Sequence, residues 1–315
     1  MLAFLARRFL TLALTAWLAT LVVFAVLQLV PGDPALLMLG TSARPDTLAA
    51  LRAQMGLDEP LPLRYLHWVG GLLAGDLGTS FTYARPVADL VSERLAITMP
   101  LALMALALST AVAMPLALLA AARHRRAGDW AVAGFGQIGI SVPSFWVGIL
   151  LILLFSVKLG WFRAGGFPGW SAGIGPAMQA LVLPALALAL PEAAILTRIA
   201  RASLLEVLGE DYTRTARAKG LSRRAVLLRH VLPNALAPVV TILGLQFAFL
   251  VAGAVVVENV FTLPGLGRLL YQAVGQRDLI VVQSVVVLLA LFVVLVNALV
   301  DVAYAAIDPR PRVSP

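Results

Sequence analysis

Long uncharged stretches alternate with short charged ones along this chain. Apolar runs occupy about Phe9–Val30, Leu95–Ala122, Trp130–Val157, Met178–Leu196, Ala235–Val257 and Leu279–Val300. Each run meets the ~18 apolar residues that a lipid-spanning segment needs. Backbone in hydrocarbon must satisfy its own hydrogen bonds, so each run predicts a helix. The pattern predicts an all-α membrane protein with six transmembrane helices. Prolines inside the second, third and fourth runs predict kinks or broken ends rather than loss of helix. The fourth run also carries Glu192 between Pro191 and Ala193, and charge is otherwise nearly absent from the spans.

The polar intervals differ in kind. Pro31–Arg94 is too long for a plain connector and has its own apolar patch, Leu61–Leu73, with several Gly and Pro turn signals. It predicts a small folded element with short helices. Gly160–Pro176 is rich in Gly and Trp, and Phe261–Asp278 contains Pro264-Gly265-Leu266-Gly267-Arg268. The chain divides into residues 1–30 (N-terminal segment and first helix), 31–94 (the loop element) and 95–315 (a core with helices two to six). That core includes a polar loop over 201–234.

Composition agrees. Of 315 residues, 61% are hydrophobic and 13% charged, against about 25% charged in a soluble chain. The net charge of +8 calls for no nucleic acid, because basic residues collect on cytoplasmic loops of membrane proteins. Cysteine is absent, which removes thiolate metal sites and cysteine nucleophiles. His67, His124 and His230 are far apart and form no ligand-spaced pair, so no metal is expected. Ser141, Ser144 and the histidines offer no credible triad, so no catalytic residue and no enzyme is expected. The run after Arg7-Arg8 is too long for a signal-peptide core and no small-residue cleavage site follows it, so it reads as a retained first span.

Charge asymmetry sets the expected orientation. With the N-terminus inside, the inner segments hold Arg7, Arg8, Arg123, Arg125, Arg126, Arg310, Arg312 and every basic residue from Arg198 to Arg229, well over half of the 24 Lys and Arg. Both termini are therefore expected in the cytoplasm, with the long loop after helix one outside.

The inner loop between runs four and five has the densest signals. Gly209 ends the helix leaving run four, and Glu210 and Asp211 suit the start of a short helix, where free N–H groups and the dipole favour carboxylates. Lys219 falls in its last turn and Gly220 just beyond, where a left-handed cap is favoured. Ser222 then caps a second short helix through about Val231, limited by Pro233. Ala216 and Gly220, four apart, leave one side of this elbow small enough for another surface to approach, within a rim of Arg214, Arg217, Lys219, Arg223 and Arg224. A solvated basic loop would account for the charge but not for the paired cap signals.

These residues resemble the EAA loop of binding-protein-dependent ABC transporter permeases. Gly220 is followed by nine residues and then His230, Val231, Leu232 and Pro233, which keeps that motif's spacing. Arg214-Thr215-Ala216 stands where the motif has Glu-Ala-Ala, and His230 where it has Ile. Asp211-Tyr212-Thr213-Arg214-Thr215-Ala216-Arg217-Ala218-Lys219-Gly220 is similar to the dipeptide/oligopeptide/nickel branch. The resemblance extends along the chain through Pro31-Gly32-Asp33-Pro34, Gly56-Leu57-Asp58-Glu59-Pro60-Leu61-Pro62, Gly75-Asp76-Leu77-Gly78-Thr79-Ser80, Ser141-Val142-Pro143-Ser144-Phe145-Trp146, Glu258-Asn259-Val260-Phe261 and Arg277-Asp278. The long first outer loop resembles the B-type subunit.

The resemblance implies a pore subunit in the bacterial inner membrane. It implies a second, C-type permease, two ATPase subunits that hold ATP and Mg, and an extracytoplasmic solute-binding protein. The implied cargo is di- or oligopeptide, with nickel chelates, glutathione or another small solute as alternatives. The implied ATPase-coupling residues are Asp211, Tyr212, Arg214, Thr215, Ala216, Arg217, Lys219, Gly220, Leu221, His230 and Pro233. Glu258, Asn259 and Arg268 are the pathway or gate candidates, with an interfacial or local structural role as the competing reading. Independently of the resemblance, the chain has no Gly-x-x-x-x-Gly-Lys-Ser/Thr loop, so hydrolysis is expected on a partner and no cofactor on this chain. A stand-alone secondary transporter is the alternative of another class, but no convincing repeat supports it.

Overall fold

A computed structural model describes residues 2–28, 33–39, 44–54 and 56–307. Pro31 and Gly32 of the Pro-Gly-Asp-Pro motif, the last two residues of the first apolar run, and Arg310 and Arg312 lie outside the described residues.

The described chain is helical almost throughout. Helix α1 spans Leu2–Gln28, α2 Pro34–Leu39, α3 Pro45–Gln54 and α4 Leu61–Leu73. Strands β1 (Thr79–Ser80) and β2 (Arg85–Pro86) then pair antiparallel, with Thr79 opposite Pro86 and Ser80 opposite Arg85. Helix α5 covers Val87–Ala122, α6 Ala127–Ser141, α7 Ser144–Leu151 and α8 Ile174–Gly209. The short α9 (Asp211–Ala218) and α10 (Arg223–Val226) precede α11 (Leu232–Val260), α12 (Leu266–Gln276) and α13 (Leu279–Ile307). Among the described residues five helices are long and apolar enough to cross a membrane, or six if α6 and α7 together form one bent span.

That bent pair is the third apolar run, and it turns by 99° at Val142-Pro143. Val142 is extended (φ −98°, ψ 122°), as the residue before a proline prefers, and Pro143 then leads into α7. Proline alone does not break a span here. Pro100 and Pro115 lie inside α5, and Pro184 and Pro191 inside α8, and both helices continue. After α7 the chain runs on through a π-helical segment, Ile152–Lys158.

Contacts divide the chain into two compact units, whose boundaries fall inside α5, between α11 and α12, and inside α13. One comprises residues 1–97 and 264–295. Its core joins Val87, Leu90 and Val91 to Leu266, Leu269 and Ala273 of α12 and Val281 and Val285 of α13. The loop element docks on α1 through aromatics, with Phe24 edge-on to Tyr65 at 5.4 Å and stacked on Trp68 at 5.9 Å. Asp278 knots this unit together. Its carboxylate accepts hydrogen bonds from the Ser80 hydroxyl at 2.6 Å, the Thr82 amide at 3.2 Å and the Val281 amide at 3.3 Å. Asp278 thereby caps α13 and holds the β1–β2 hairpin, which joins two of the motif segments noted in sequence. Ser284 adds a second tie by donating to the Leu77 carbonyl.

The other unit comprises residues 98–263 and 296–315. Helix α8 is its most enclosed span and packs most extensively on α11 and α6. The α6 crossing is close because Gly139 has no side chain. A Cβ there would stand 2.5 Å from the Ala194 Cβ. A cluster of small and branched residues, including Ala117, Ala193, Leu196, Ala200, Leu204, Val231 and Val239, runs down this unit to the elbow.

Candidate functional site: the elbow between α8 and α11

The elbow forms where local signals place it. Helix α8 stops at Gly209, and one extended residue, Glu210 (φ −67°, ψ 148°), turns the chain into α9. Thr213 fixes that corner. Its buried hydroxyl bonds to the carbonyls of Glu210 at 2.7 Å and Leu208 at 2.9 Å. Helix α9 ends in a Schellman arrangement, with the Gly220 amide on the Arg217 carbonyl at 2.9 Å and the Leu221 amide on the Ala216 carbonyl at 3.4 Å. Gly220 adopts φ +84°, a left-handed conformation that costs an L-residue about 1–2 kcal/mol. Nothing lies within 4 Å of a Cβ added there, so the glycine meets a backbone requirement rather than a crowded one. Ser222 then caps α10, accepting from the Ala225 amide at 3.3 Å.

The second helix of the elbow differs from expectation. It does not end at Pro233. A π turn over Leu227–Val231 carries α10 directly into α11, giving one helical run from Arg223 to Val260. Proline cannot donate to the carbonyl four residues back and its ring crowds that carbonyl. The wider π turn just before Pro233 relieves the conflict, and Pro233 takes a first-turn position of α11. His230 sits in this turn half-buried, and its carbonyl accepts from the Asn234 side chain at 2.6 Å. The elbow is thus one free short helix joined by a left-handed turn to the end of a span.

Of the predicted coupling residues only Ala216 is buried, and it turns inward together with Thr213, Val226 and Val231, which are not among them. Ala216 belongs to the cluster with Leu204 and Ala235, so the small outward side expected of Ala216 and Gly220 together reduces to Gly220. Asp211, Tyr212, Arg214, Thr215, Arg217, Lys219, Gly220, Leu221 and Pro233 are exposed. Asp211 is almost wholly solvated, and its one ion-pair contact is a 3.5 Å approach from Arg214 on the next turn. Desolvation, and then the charge of Glu210, raises the Tyr212 phenol above its ordinary value, so it remains a neutral donor at physiological pH. Between Glu206 and Asn234 six basic side chains stand against three acidic ones. The outward face offers a basic, weakly self-paired surface with exposed Tyr212, Leu221 and Leu228.

Behind the elbow lies a node that sequence reading missed. Asp129, in the first turn of α6 and 4% exposed, takes two bonds from the Arg201 guanidinium, at 2.6 Å and 2.9 Å. His124 Nδ1 lies 3.1 Å away and the Arg125 amide donates at 2.9 Å. A bidentate, buried pair of this kind fixes orientation as well as charge. It ties α6 to α8 two turns before the elbow. Arg201 read as one more loop cation, and nothing in sequence announces a partner 72 residues away.

The pathway candidates fall in both units. Glu258, in the last turn of α11, is fully buried. It accepts from the Thr98 hydroxyl at 2.6 Å, and its carbonyl accepts from the Leu263 amide at 2.8 Å. Asn259 is half-buried and donates to the Val255 carbonyl at 2.7 Å. Arg268 is half-buried in the first turn of α12, in the other unit. Among the described residues no group of three or more His, Asp or Glu side chains is placed to hold a metal.

Comparison with known proteins identifies the family. Residues 113–313 match the family described as binding-protein-dependent transport system inner membrane component, and residues 1–102 match its N-terminal family. A probable peptide ABC transporter permease protein, y4tP of Sinorhizobium fredii, is 42% identical over 92% of this chain and 93% of its own length. The glutathione transport system permease protein GsiC of Escherichia coli K12 is 41% identical over 99% of both chains. In fold, a chain of the MetNI methionine ABC transporter, solved in inward-facing conformations, superposes with a TM-score of 0.57 at 21% identity, covering 70% of this chain and 96% of that one. A full-length match to both parts of one family, with relatives above 40% identity, leaves one assignment: the chain is a permease subunit belonging to the binding-protein-dependent transport system inner membrane component family.

Proposed function

We propose that this chain is the B-type permease of an ATP-driven importer that moves di- and oligopeptides from a solute-binding protein into the cytoplasm. Both termini and the elbow face the cytoplasm in this reading, as the distribution of Lys and Arg favours. A C-type permease completes the pore, and two ATPase subunits hold ATP and Mg. The observation that carries the reading is the elbow: a capped, exposed, basic element on a chain of this family that has no phosphate-binding loop of its own.

The mechanism follows from rigidity. An ATPase groove that receives α9 pushes on Asp211–Leu221. The inward residues Thr213 and Ala216 pass that displacement to α8, and the Asp129–Arg201 pair carries it to α6. Packed elements shift between discrete arrangements instead of deforming continuously. Glu258 is enclosed, so its role here is to hold the outer end of α11 through Thr98 while the gate stays shut, with Asn259 beside it; Arg268, on α12, is a separate pathway candidate. Glutathione is the second cargo reading, favoured by the 41% identity to GsiC along the whole chain.

The test is uptake by proteoliposomes that hold the complete transporter with its solute-binding protein. Labelled trialanine should accumulate only with ATP inside. Accumulation of nickel chelate but not of trialanine or glutathione would overturn the peptide assignment.

A further inference from the structure

Two oxygen acceptors meet in the apolar middle of the unit formed by residues 98–263 and 296–315. Glu192 stands at the centre of the 36-residue α8 and Gln246 at the centre of the 29-residue α11. Glu192 lies inside the apolar run Met178–Leu196 and Gln246 inside Ala235–Val257, so both sit in the hydrocarbon-spanning part of the chain. Gln246 is 4% exposed, and its Nε2 donates to the Glu192 main-chain carbonyl at 2.9 Å. That bond fixes the amide's orientation, since turned over it would set oxygen against oxygen. The Gln246 Oε1 is left buried with no partner. The half-buried Glu192 carboxyl takes a hydrogen bond from the same Gln246 side chain, and among the described residues no basic side chain pairs with it.

A purely structural polar contact would use its acceptors. Here the Gln246 amide serves the Glu192 backbone and also its carboxyl, while the amide oxygen has no partner and the half-buried carboxyl keeps further acceptor sites. Ala193 follows Glu192 on α8, and Val239, Ile242 and Leu243 precede Gln246 on α11; none carries a donor side chain. An ionisable group inside a span is costly and marks a pathway or binding role. A carboxylate with spare acceptor sites beside an unpartnered amide oxygen selects a cation that brings several N–H groups, and a primary ammonium brings three. A guanidinium is broader and planar, and a metal ion wants more oxygens than two.

We propose that Glu192 and Gln246 form an intramembrane station for the primary ammonium group of the cargo, the N-terminal amine if the cargo is a peptide. The proposal rests on the importer reading above and adds a cargo contact that reading lacks. One carboxyl and one amide oxygen make a waypoint and not a trap, as conduction through a pore requires.

Dicyclohexylcarbodiimide, which modifies carboxyl groups in apolar surroundings, tests the station on the complete transporter in lipid nanodiscs. The modified residue is located by mass spectrometry. Glu192 should be labelled, and excess n-propylammonium should slow the labelling several-fold while n-propanol does not. Equal rates with both probes, or no labelling of Glu192, overturn the station. In proteoliposomes, Glu192→Gln should lower trialanine uptake about tenfold, the loss expected when a charged hydrogen-bond acceptor is removed from a buried contact. Gln246→Leu should lower it less. If the unaltered transporter takes up no trialanine but propylammonium still protects Glu192, the peptide reading falls and the station stands. If trialanine is taken up normally by Glu192→Gln and Glu192 goes unprotected, the station falls and the peptide reading stands.

Discussion

Asp278 and Asp211 both lie at the start of a helix, and they are used in opposite ways. Asp278 is buried and accepts three hydrogen bonds, from the β1–β2 hairpin and the first turn of α13. Asp211 is almost fully solvated, with one long contact to Arg214. The segment around Asp278 turns its polar groups inward and saturates them, which is what a part that must keep its shape requires. The elbow around Asp211 satisfies only its backbone, through Thr213, Gly220 and Ser222, and leaves its charged side chains to solvent. Residues of the family's motifs are therefore of two kinds, those whose polar groups are spent inside the subunit and those whose charged side chains are left exposed.

The sharpest way to break this contrast is to remove a saturated carboxylate. Asp129→Ala leaves the Arg201 guanidinium without its partner beside α8 and should destabilise the subunit by about 3–5 kcal/mol. Asp278→Ala, which strips three donors of their acceptor, should cost a comparable amount. Thermal unfolding of the detergent-solubilised complex measures both, and an unchanged Tm would mean that these knots hold nothing. Next is packing. Gly139→Leu forces a side chain into the Ala194 contact and should cost about 1–3 kcal/mol, seen as a lower Tm.

At the turn of the elbow the effect becomes mixed. Gly220→Ala should cost about 1–2 kcal/mol through its left-handed backbone alone. Gly220→Trp adds bulk on the outward side, so it should reduce ATP-driven uptake much more than Gly220→Ala while lowering Tm no further. Equal uptake by the two variants would argue against a partner surface there. Smallest in stability are Arg214→Glu and Arg217→Glu, which should change it by less than about 0.5 kcal/mol. Both should nevertheless weaken co-purification of the ATPase subunits, increasingly at high salt. Unaltered co-purification would make the arginines a solvated rim and nothing more.

What could be read from sequence follows the range of the forces involved. The caps at Gly209, Gly220 and Ser222 depend on residues within one turn, and they form as expected. The six apolar runs were legible because hydrocarbon imposes one requirement on every span. Which of the expected proline kinks would become the 99° break was not, since Pro143 looks no different in sequence from Pro184 or Pro191. An interior proline is absorbed where neighbouring helices support the run, and it breaks the chain where an extended residue precedes it. The inward turn of Ala216 and the continuation of the helix past Pro233 through a π turn are set by packing against α8. The partners of Asp129 and Asp278, 72 and 198 residues away, are tertiary facts with no local signature. Glu192 was visible as a charge within a span, but the open acceptor beside it, Gln246 Oε1, was not.

The exposed side of α9 is the proposed meeting place with an ATPase subunit. The chain has no cysteine, so Arg217→Cys places a single thiol on that side. In the assembled transporter this thiol should crosslink to an ATPase subunit through a short bifunctional reagent, with a yield that changes when ATP is bound. It should also resist membrane-impermeant reagents added from outside the cell. Labelling from outside, or the absence of any crosslink in an assembled and transporting complex, would contradict the account.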